Sequence, residues 1–316
     1  MFLLAECHSP ETDDAVKVTR SVAHEGVQFA GSCDDLQVTQ LKTALKNVKG
    51  YVKAAHSIQY HDRALFNYFF KQEEWPIVDQ TLRNLRERLN HVGPQVSLRC
   101  RLATSQHFEQ CVAFGRLAFT AYYVYQNNSN TDKPPTRENV TVGLCPDFWE
   151  YPALPDPCDE RTLQLVERRP GNNKALILLH EMVHAPHMTG LSVWHVGDLV
   201  DSPQQCHRLT KVMGRANVKP TLNANNFALY AQWAWIWSKQ KSKCPQNFPL
   251  WGVLDRPEVD PERELRKLLS DIDADVAGGQ DNSIACSTTL DQCVPNPDMV
   301  NGTAIGLANE TRSEAP

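Results

Sequence analysis

The segment Lys174–Gly190, KALILLHEMVHAPHMTG, places two histidines and a glutamate inside a strongly apolar run. Apolar residues flank His180, Glu181 and His184 on both sides, which predicts a helix that is buried almost all round. The helix should end just before Pro186, because proline cannot continue it. Burying two imidazoles and a carboxylate without partners costs several kcal/mol. The segment therefore needs either protein hydrogen-bond partners or a metal ion.

The three polar residues form the pattern H-E-x-x-H. Helical positions i and i+4 share a face, so the imidazoles of His180 and His184 can bind one metal ion. Glu181 can then reach a water held by that metal and act as a general base. The alternative is a pair of core histidines with protein partners. Zinc satisfies all three polar groups together, and this favours the metal site.

A third ligand is needed to complete a zinc site. No glutamate occurs between the motif and Glu258, so the nearest carboxylates are Asp198 and Asp201. His187 and His195 are further candidates, and we expect each of them to lie beside the metal ligands or at the surface. The residues alone leave the choice of third ligand open.

The ten cysteines are dispersed along the chain, and no C-x-x-C pair occurs among them. This disfavours zinc ribbons and thioredoxin-like sites and indicates disulfides formed in an oxidising compartment. Asn-x-Ser/Thr sequons agree with export, and we predict glycosylation at Asn127, Asn139, Asn301 and Asn309. The apolar run Met1–Ala5 is shorter than a signal sequence, so we expect the export signal to lie upstream of the given start.

Composition excludes several function classes. A net charge of −5 without a Lys/Arg block disfavours nucleic acid and anionic membranes as partners. No apolar stretch is long enough to span a bilayer, and neither a G-x-S-x-G elbow nor a phosphate-cradling loop occurs. With 41% hydrophobic residues among 316, the chain is long enough to bury a proper core.

Periodicity and composition indicate a small sheet in the middle of the chain, with helices before it and after it. Helices are predicted over residues 34–56, 63–71, 75–91, 203–214 and 223–238. Strands are predicted over residues 95–103, 119–126 and 139–146. We expect one domain over residues 31–245. It would follow an irregular segment 1–30, either a propeptide or the remnant of a signal, and precede a largely irregular extension 246–316.

Four segments resemble one known family. LCPDFWEYPAL, LILLHEMVHA, GDLVDSPQQC and NANNFALYAQ are similar to the deuterolysin (aspzincin) zinc metalloendopeptidases, over roughly residues 33–239. The resemblance implies an α+β, zincin-like metalloprotease fold that is mainly helical with a small β-sheet. It also implies one Zn²⁺ per chain, with His180, His184 and Asp198 as ligands and Glu181 as the general base.

The chain departs from the family pattern close to the third ligand. Asp201 stands where the family has a tyrosine that is expected to hydrogen-bond the tetrahedral intermediate. Losing such a donor costs about 10²–10³ in rate. Tyr230 and His195 are candidates to replace it, and Asp201 is a candidate to compete as a metal ligand.

The cysteines also fit the resemblance. It implies three disulfides, Cys33–Cys100, Cys111–Cys145 and Cys158–Cys206. The pairing of the remaining cysteines stays open, although the last two could close a small loop: these are Cys7, Cys244, Cys286 and Cys293.

These observations together predict a secreted, monomeric zinc metalloendopeptidase that acts on proteins or peptides, without nucleic-acid or membrane partners. The alternative is a catalytically weak or inactive secreted protein of the same fold that binds zinc or interacts with a host. The replaced tyrosine favours this alternative, whereas the intact Glu181 opposes it.

Overall fold

Three N-terminal helices form where the sequence predicts them. α1 (Asp35–Ile58) and α3 (Trp75–Leu89) each bury one apolar face, and α2 (Arg63–Phe69) lies between them in the chain. α1 begins after Asp34, whose carboxylate accepts a hydrogen bond from the Gln37 amide at 2.8 Å. The apolar faces of these helices form one side of the hydrophobic core.

The structure is a computed structural model. It describes residues 22–24, 27–29, 33–58, 63–91, 96–100, 111–112, 116–124, 138–154, 173–191, 196–215, 218–243, 263, 265–270, 272, 284–287 and 293–295. Helices dominate this part of the chain and pack against a mixed sheet. The predicted α+β class, mainly helical with a small sheet, is therefore confirmed.

Strands from distant parts of the chain build the sheet. They are β1 (Val22–His24), β2 (Val27–Phe29), β3 (Val96–Arg99), β4 (Ala118–Val124), β5 (Glu138–Leu144), β6 (Ile284–Ser287) and β7 (Cys293–Pro295). Within the described residues their order is β1-β2-β3-β5-β4-β6-β7. β4 pairs antiparallel with β5 and parallel with β6, and the pairs β2–β3 and β3–β5 are parallel.

The ends of the chain are more regular than the sequence predicts. β1 and β2 lie in the segment 1–30, and β6 and β7 lie in the extension 246–316, although both segments were expected to be irregular. Residues 265–270 are also helical. Strands of three or four residues are too short to show periodicity, and they form here because a neighbouring strand supplies their hydrogen bonds.

The helix of the motif, α4 (Lys174–His184), packs against α1, against β4 and against the long helix α7 (Ala224–Lys243). α4 ends just before Pro186, as the proline predicts, and a short helix α5 (Pro186–Thr189) follows it. α6 (Pro203–Leu209) is shorter than predicted, and α7 is longer. Among the helices that the structure describes, none combines the length and the apolar character that a bilayer span requires.

A buried polar cluster fixes the start of α4. The Asn173 side chain caps the helix by accepting the Leu176 amide at 2.9 Å, and the Tyr51 hydroxyl donates to the same oxygen at 3.1 Å. The Lys174 ammonium group donates to the carbonyl of Trp149 at 2.8 Å and to the carbonyl of residue 151. These bonds tie the helix to the chain that follows β5.

Two of the three disulfides that the resemblance implies are present. Cys33 binds Cys100, and Cys111 binds Cys145. The pairing of Cys158 with Cys206 is wrong. Cys206 is a free thiol that is fully buried, and its sulfur accepts a hydrogen bond from the Asn223 amide at 3.6 Å. Cys158 itself lies outside the described residues.

The predictions for the remaining cysteines and for the glycosylation sites stay untested. The register of β6 and β7 sets Cys286 opposite Cys293, where a disulfide between them stays a prediction. Asn139 lies in β5, and the other three predicted glycosylation sites lie outside the described residues, as do Cys7 and Cys244.

The anchor at Lys174 yields a prediction about stability. Replacing Lys174 with Met keeps an unbranched apolar side chain but removes the donor to two carbonyls. We expect Lys174→Met to lower the free energy of unfolding by about 1–3 kcal/mol, as for other buried groups left unsatisfied. Urea denaturation measures the change, and Lys219→Met at an exposed position is the matched control. Equal values for the two variants would show that the anchor contributes nothing.

Candidate metal centre

The two histidines of the motif lie on one face of α4. His180 and His184 occupy positions i and i+4 of the helix, and their rings meet edge to face with centroids 4.8 Å apart. Both side chains are mostly buried, with 16% and 12% of their surface exposed. The helix therefore presents two imidazoles to one point, as the pattern predicts.

Asp198 reaches the same point from the loop before α6. The backbone of Gly197 accepts the amide of Ala224 at 3.0 Å and donates to the carbonyl of Leu222 at 2.9 Å. The Asn223 side chain accepts the amide of Leu199 at 2.9 Å. Hydrogen bonds on both sides of Asp198 thus hold the loop against the start of α7.

Three ligand atoms converge at this centre. Asp198 Oδ1 lies 3.1 Å from His180 Nε2 and 3.0 Å from His184 Nε2, and the two nitrogens are 3.2 Å apart. Zinc bonds of about 2.1 Å in tetrahedral geometry separate neighbouring ligands by about 3.4 Å. The observed separations are close to that value. This group of three could hold a metal ion, and its donor set of two imidazoles and one carboxylate suits zinc.

The charges at the centre are strongly coupled. Burial acts to lower the pKa of His180, but the charge of Asp198 and the hydrogen bond that its carboxylate accepts from the imidazole outweigh burial and raise this pKa to about 9. The pKa of His184 is raised in the same way. Burial acts to raise the pKa of Asp198, yet the two imidazoles hold it well below its usual range. A metal cation would replace the protons that the imidazoles otherwise hold.

The outer nitrogen of His184 supports its role as a ligand. His184 Nδ1 lies 3.1 Å from the carbonyl oxygen of Val196, so the Nδ1–H donates to that oxygen and Nε2 is left to bind a metal. Metal-binding histidines commonly have their second nitrogen fixed by such a bond. The same loop therefore supplies both the carboxylate ligand and the carbonyl that orients one imidazole.

Thr120 fixes the carboxylate of Glu181. Glu181 follows His180 on α4 and is buried, with 6% of its surface exposed. The Thr120 hydroxyl lies 2.6 Å from Glu181 Oε2 and 3.0 Å from the backbone carbonyl of the same residue. Thr120 belongs to β4, so this contact joins the sheet to the motif helix. The sequence analysis missed Thr120, because nothing in its local pattern distinguishes it from other strand residues.

Arg116 is a second residue that the sequence analysis missed. It is half-buried and lies just before β4. Burial lowers the pKa of Arg116, while the negative charges of Glu181 and Asp198 act to raise it. The guanidinium therefore lies within electrostatic reach of both carboxylates of the centre.

Two of the proposed auxiliary residues lie in the described part of the chain, and neither is one of the converging ligands. Asp201 is exposed and accepts a hydrogen bond from the Asn225 amide at 3.2 Å, and it is not one of the three converging ligands. Tyr230 is fully buried among aromatic rings, and its hydroxyl donates to the carbonyl of Ala55 at 3.4 Å. The burial and the hydrogen bond of Tyr230 contradict its predicted role as a transition-state donor, whereas Asp201, whose charge acts to raise the pKa of His180, stays a predicted alternative ligand or neighbour of the ligands.

The remaining histidines leave the ligand set unchanged. His187 lies half-buried on α5, outside the group of converging ligands. His195, the other candidate to assist the centre, lies outside the described residues.

Comparisons with known proteins add little to this description. No protein-family model matches the chain, and no curated protein is significantly similar to it in sequence. Among solved structures, a zinc peptidase from Grifola frondosa is similar to it, with 17% identity and a TM-score of 0.40. The similarity covers 63% of this chain and 96% of that peptidase.

The charge coupling predicts how the metal-free protein responds to pH. The folded pKa of His180 is about 9, above its ordinary value of 6.5, so the pairing with Asp198 stabilises the fold fully below pH 6.5. That stability is lost as the pH rises through about 9. We expect the free energy of unfolding of chelator-treated protein to fall between pH 6.5 and 9.

Urea denaturation at several pH values measures this dependence. The loss should disappear in the Asp198→Asn variant, because the neutral amide cannot hold the imidazoles protonated. Zinc should restore the stability of the wild-type protein at pH 8, since it stabilises the folded state that binds it. A wild-type profile that is flat over this range contradicts the coupling.

Proposed function

We propose that the chain is a secreted, zinc-dependent metalloendopeptidase of the deuterolysin type. One observation carries the proposal: the ligand atoms of His180, His184 and Asp198 converge within 3.2 Å of one another, beside the buried carboxylate of Glu181. Two imidazoles and one carboxylate are a ligand set of catalytic zinc, which keeps a position free for water or substrate. A structural zinc site has four protein ligands and no need of a neighbouring base.

The residues divide the chemistry among them. His180, His184 and Asp198 would hold one Zn²⁺. When bound, the metal supplies Lewis-acid activation of a water and of the scissile carbonyl. Glu181 accepts the proton of the attacking water and passes it to the leaving amine. Thr120 holds the Glu181 carboxylate in place, because its hydroxyl donates to the oxygen Oε2.

Secretion and the substrate class belong to the same proposal. The disulfides Cys33–Cys100 and Cys111–Cys145 support an oxidising compartment, since such bonds are rare in the cytosol. Protein or peptide substrates follow from the peptidase chemistry, and a monomer suffices because every residue of the centre comes from one chain.

A second candidate is a secreted zinc-binding protein of the same fold with weak or no activity. The location of Tyr230 favours it, because that hydroxyl is committed to the core and cannot replace the family tyrosine. The Thr120–Glu181 hydrogen bond favours the enzyme, because a general base must be held in one position to act.

The proposed role of Glu181 gives a direct test. We expect Glu181→Gln to keep one zinc per chain and to lower casein hydrolysis by about 10²–10⁴, the usual contribution of a general base. Zinc content is measured on the same disulfide-intact samples as hydrolysis. If the wild type binds zinc but cleaves neither casein nor peptides, the zinc-binding candidate replaces the peptidase.

The contact with Thr120 predicts a graded effect. Thr120→Val preserves shape but removes the donor, so the Glu181 carboxylate loses its fixed position. We expect kcat to fall about 10–100-fold with little change in KM, as for other small displacements of a catalytic group. Thr120→Ser keeps the hydroxyl and should retain most of the activity. Steady-state kinetics on one peptide measures both parameters.

Thr141→Val is the matched control for this comparison. Thr141 is also buried, with 5% of its surface exposed, and it lies on the neighbouring strand β5. Equal losses of kcat in Thr120→Val and Thr141→Val would show that burial of a hydroxyl in the sheet matters and positioning of Glu181 does not.

A further inference from the structure

Strand β4 has a neighbouring strand on each of its two edges. Along the inner edge it pairs antiparallel with β5 over its whole length, from Ala118 to Val124. Along the outer edge, residues 121–124 pair parallel with β6, which belongs to the extension 246–316 and pairs in turn with β7. Among the described residues, the extension therefore supplies the strand that covers the outer edge of β4.

The covered part of this edge begins one residue from the contact that fixes the proposed base. Thr120 donates to Glu181, and the next residue, Ala121, has Ile284 of β6 as its Cα partner. Adjacent strands lie about 4.8 Å apart and each residue advances about 3.4 Å, so β6 begins about 6 Å from the Cα of Thr120. The extension thus reaches the edge of the strand that contacts Glu181.

A peptide substrate needs a place beside the same strand. Extended peptides commonly bind proteins by adding a strand to a sheet edge, where backbone hydrogen bonds supply the affinity. The inner edge of β4 is taken by β5 over its full length. An extended peptide that pairs with β4 next to Glu181 therefore has to use the outer edge, and β6 occupies residues 121–124 of that edge.

The strands that cover this edge are short. β6 has four residues and β7 has three, and a two-stranded pair of this size is at best marginally stable away from a sheet. Their placement therefore depends on the backbone hydrogen bonds to β4. Breaking a few such bonds is a local opening, which costs much less free energy than global unfolding. The pair β6–β7 can thus leave the edge while the rest of the fold persists.

We propose that the strand pair β6–β7 is an autoinhibitory cover of the outer edge of β4, which an extended peptide substrate must displace to bind. The inference rests on the proposed peptidase function. The cover blocks binding and leaves His180, His184, Asp198 and Glu181 in place, so it acts on KM and spares kcat. If the open form makes up about one tenth of the population, the apparent affinity for substrate falls about ten-fold.

The kinetic test changes one residue of β6 in the full chain. Proline lacks the N–H that a strand between two neighbours donates, so Ala285→Pro should release β6 from β4. We expect KM for a peptide substrate to fall about ten-fold, with kcat within about two-fold of the wild type. Ala285→Ser keeps the N–H and is the matched control, which should equal the wild type. All proteins are compared with one zinc bound per chain.

Hydrogen exchange reports the state of the edge without turnover. The probe is the uncleaved substrate peptide, added to Glu181→Gln and to the double variant Glu181→Gln/Ala285→Pro. In the double variant, the amides of residues 121–124 that point away from β5 should exchange faster and should be protected again by the peptide. In Glu181→Gln alone they should be protected already. Unchanged exchange in α1 and α4 shows that the fold survives the proline.

A second variant keeps the test valid if Ala285→Pro does not fold. A recognition sequence for a specific protease is inserted between Gly278 and Gly279, before β6 in the chain, and is cut after the full chain has folded. Cutting removes the tether of β6–β7, so KM should fall about ten-fold as with the proline. The same protein before cutting is the control.

The outcomes distinguish the cover from the proposed function. An equal KM in the wild type and the opened proteins overturns the cover, even if all of them cleave peptides, because β6–β7 would then be a permanent part of the sheet. Faster exchange at the edge without protection by the peptide also overturns it, since the substrate then binds elsewhere. If the peptide protects the opened edge but no zinc-loaded protein cleaves it, the peptidase activity is overturned and the cover of a peptide-binding edge stands.

Discussion

The convergence of two imidazoles and one carboxylate on a single buried point is the constraint on which the centre depends. His180 and His184 reach this point through helix geometry alone, but Asp198 lies on a loop. The loop keeps its place because the side chain of Asn223 is fully buried and makes three hydrogen bonds to it, accepting the amides of Leu199 and Val200 and donating to the carbonyl of Val200. The third ligand is therefore positioned by a buried side chain at the start of α7.

The same buried amides connect the centre to the rest of the core. Asn223 also donates to the side-chain oxygen of Asn226, and Asn226 donates to the carbonyl of Phe69 at the end of α2. Each of these groups would be costly to bury alone, and each is satisfied only in this arrangement. The network therefore specifies one relative placement of α2, α7 and the ligand loop, which purely apolar packing would leave less sharply defined.

Local patterns predicted the parts of the centre that lie on one helix. The spacing of His180, Glu181 and His184, the apolar surroundings and the proline after them indicate a buried metal helix that stops at its observed place. The choice of Asp198 over Asp201 came only from the resemblance, because no periodicity links a loop residue to a helix face. Tyr230 lies in the core, fully buried on α7, so its role was misjudged from residue type alone.

Local sequence patterns could not predict which residues of the sheet lie at the centre. Thr120 and Arg116 lie more than fifty residues before α4, and only the packing of β4 on α4 brings them to the centre. Their sequence neighbours look like those of any strand. The short strands near the two ends of the chain were not predicted for a related reason. A strand of three residues is defined by its partner and has no period of its own.

The division of roles between helix and sheet has a mechanical consequence. α4 carries His180 and His184, which could hold a metal ion, and the proposed base Glu181, whereas β4 carries Thr120. A shift of the strand relative to the helix would move the Glu181 carboxylate away from the position in which Thr120 holds it. Displacements of about 1 Å can reduce catalysis by about 10². The disulfide and the hydrogen bond on Cys145 join the lead-in of β4 to the end of β5, and the hydrogen bonds of Thr120 to Glu181 hold β4 against the helix, so the same contact serves both packing and the position of the proposed base.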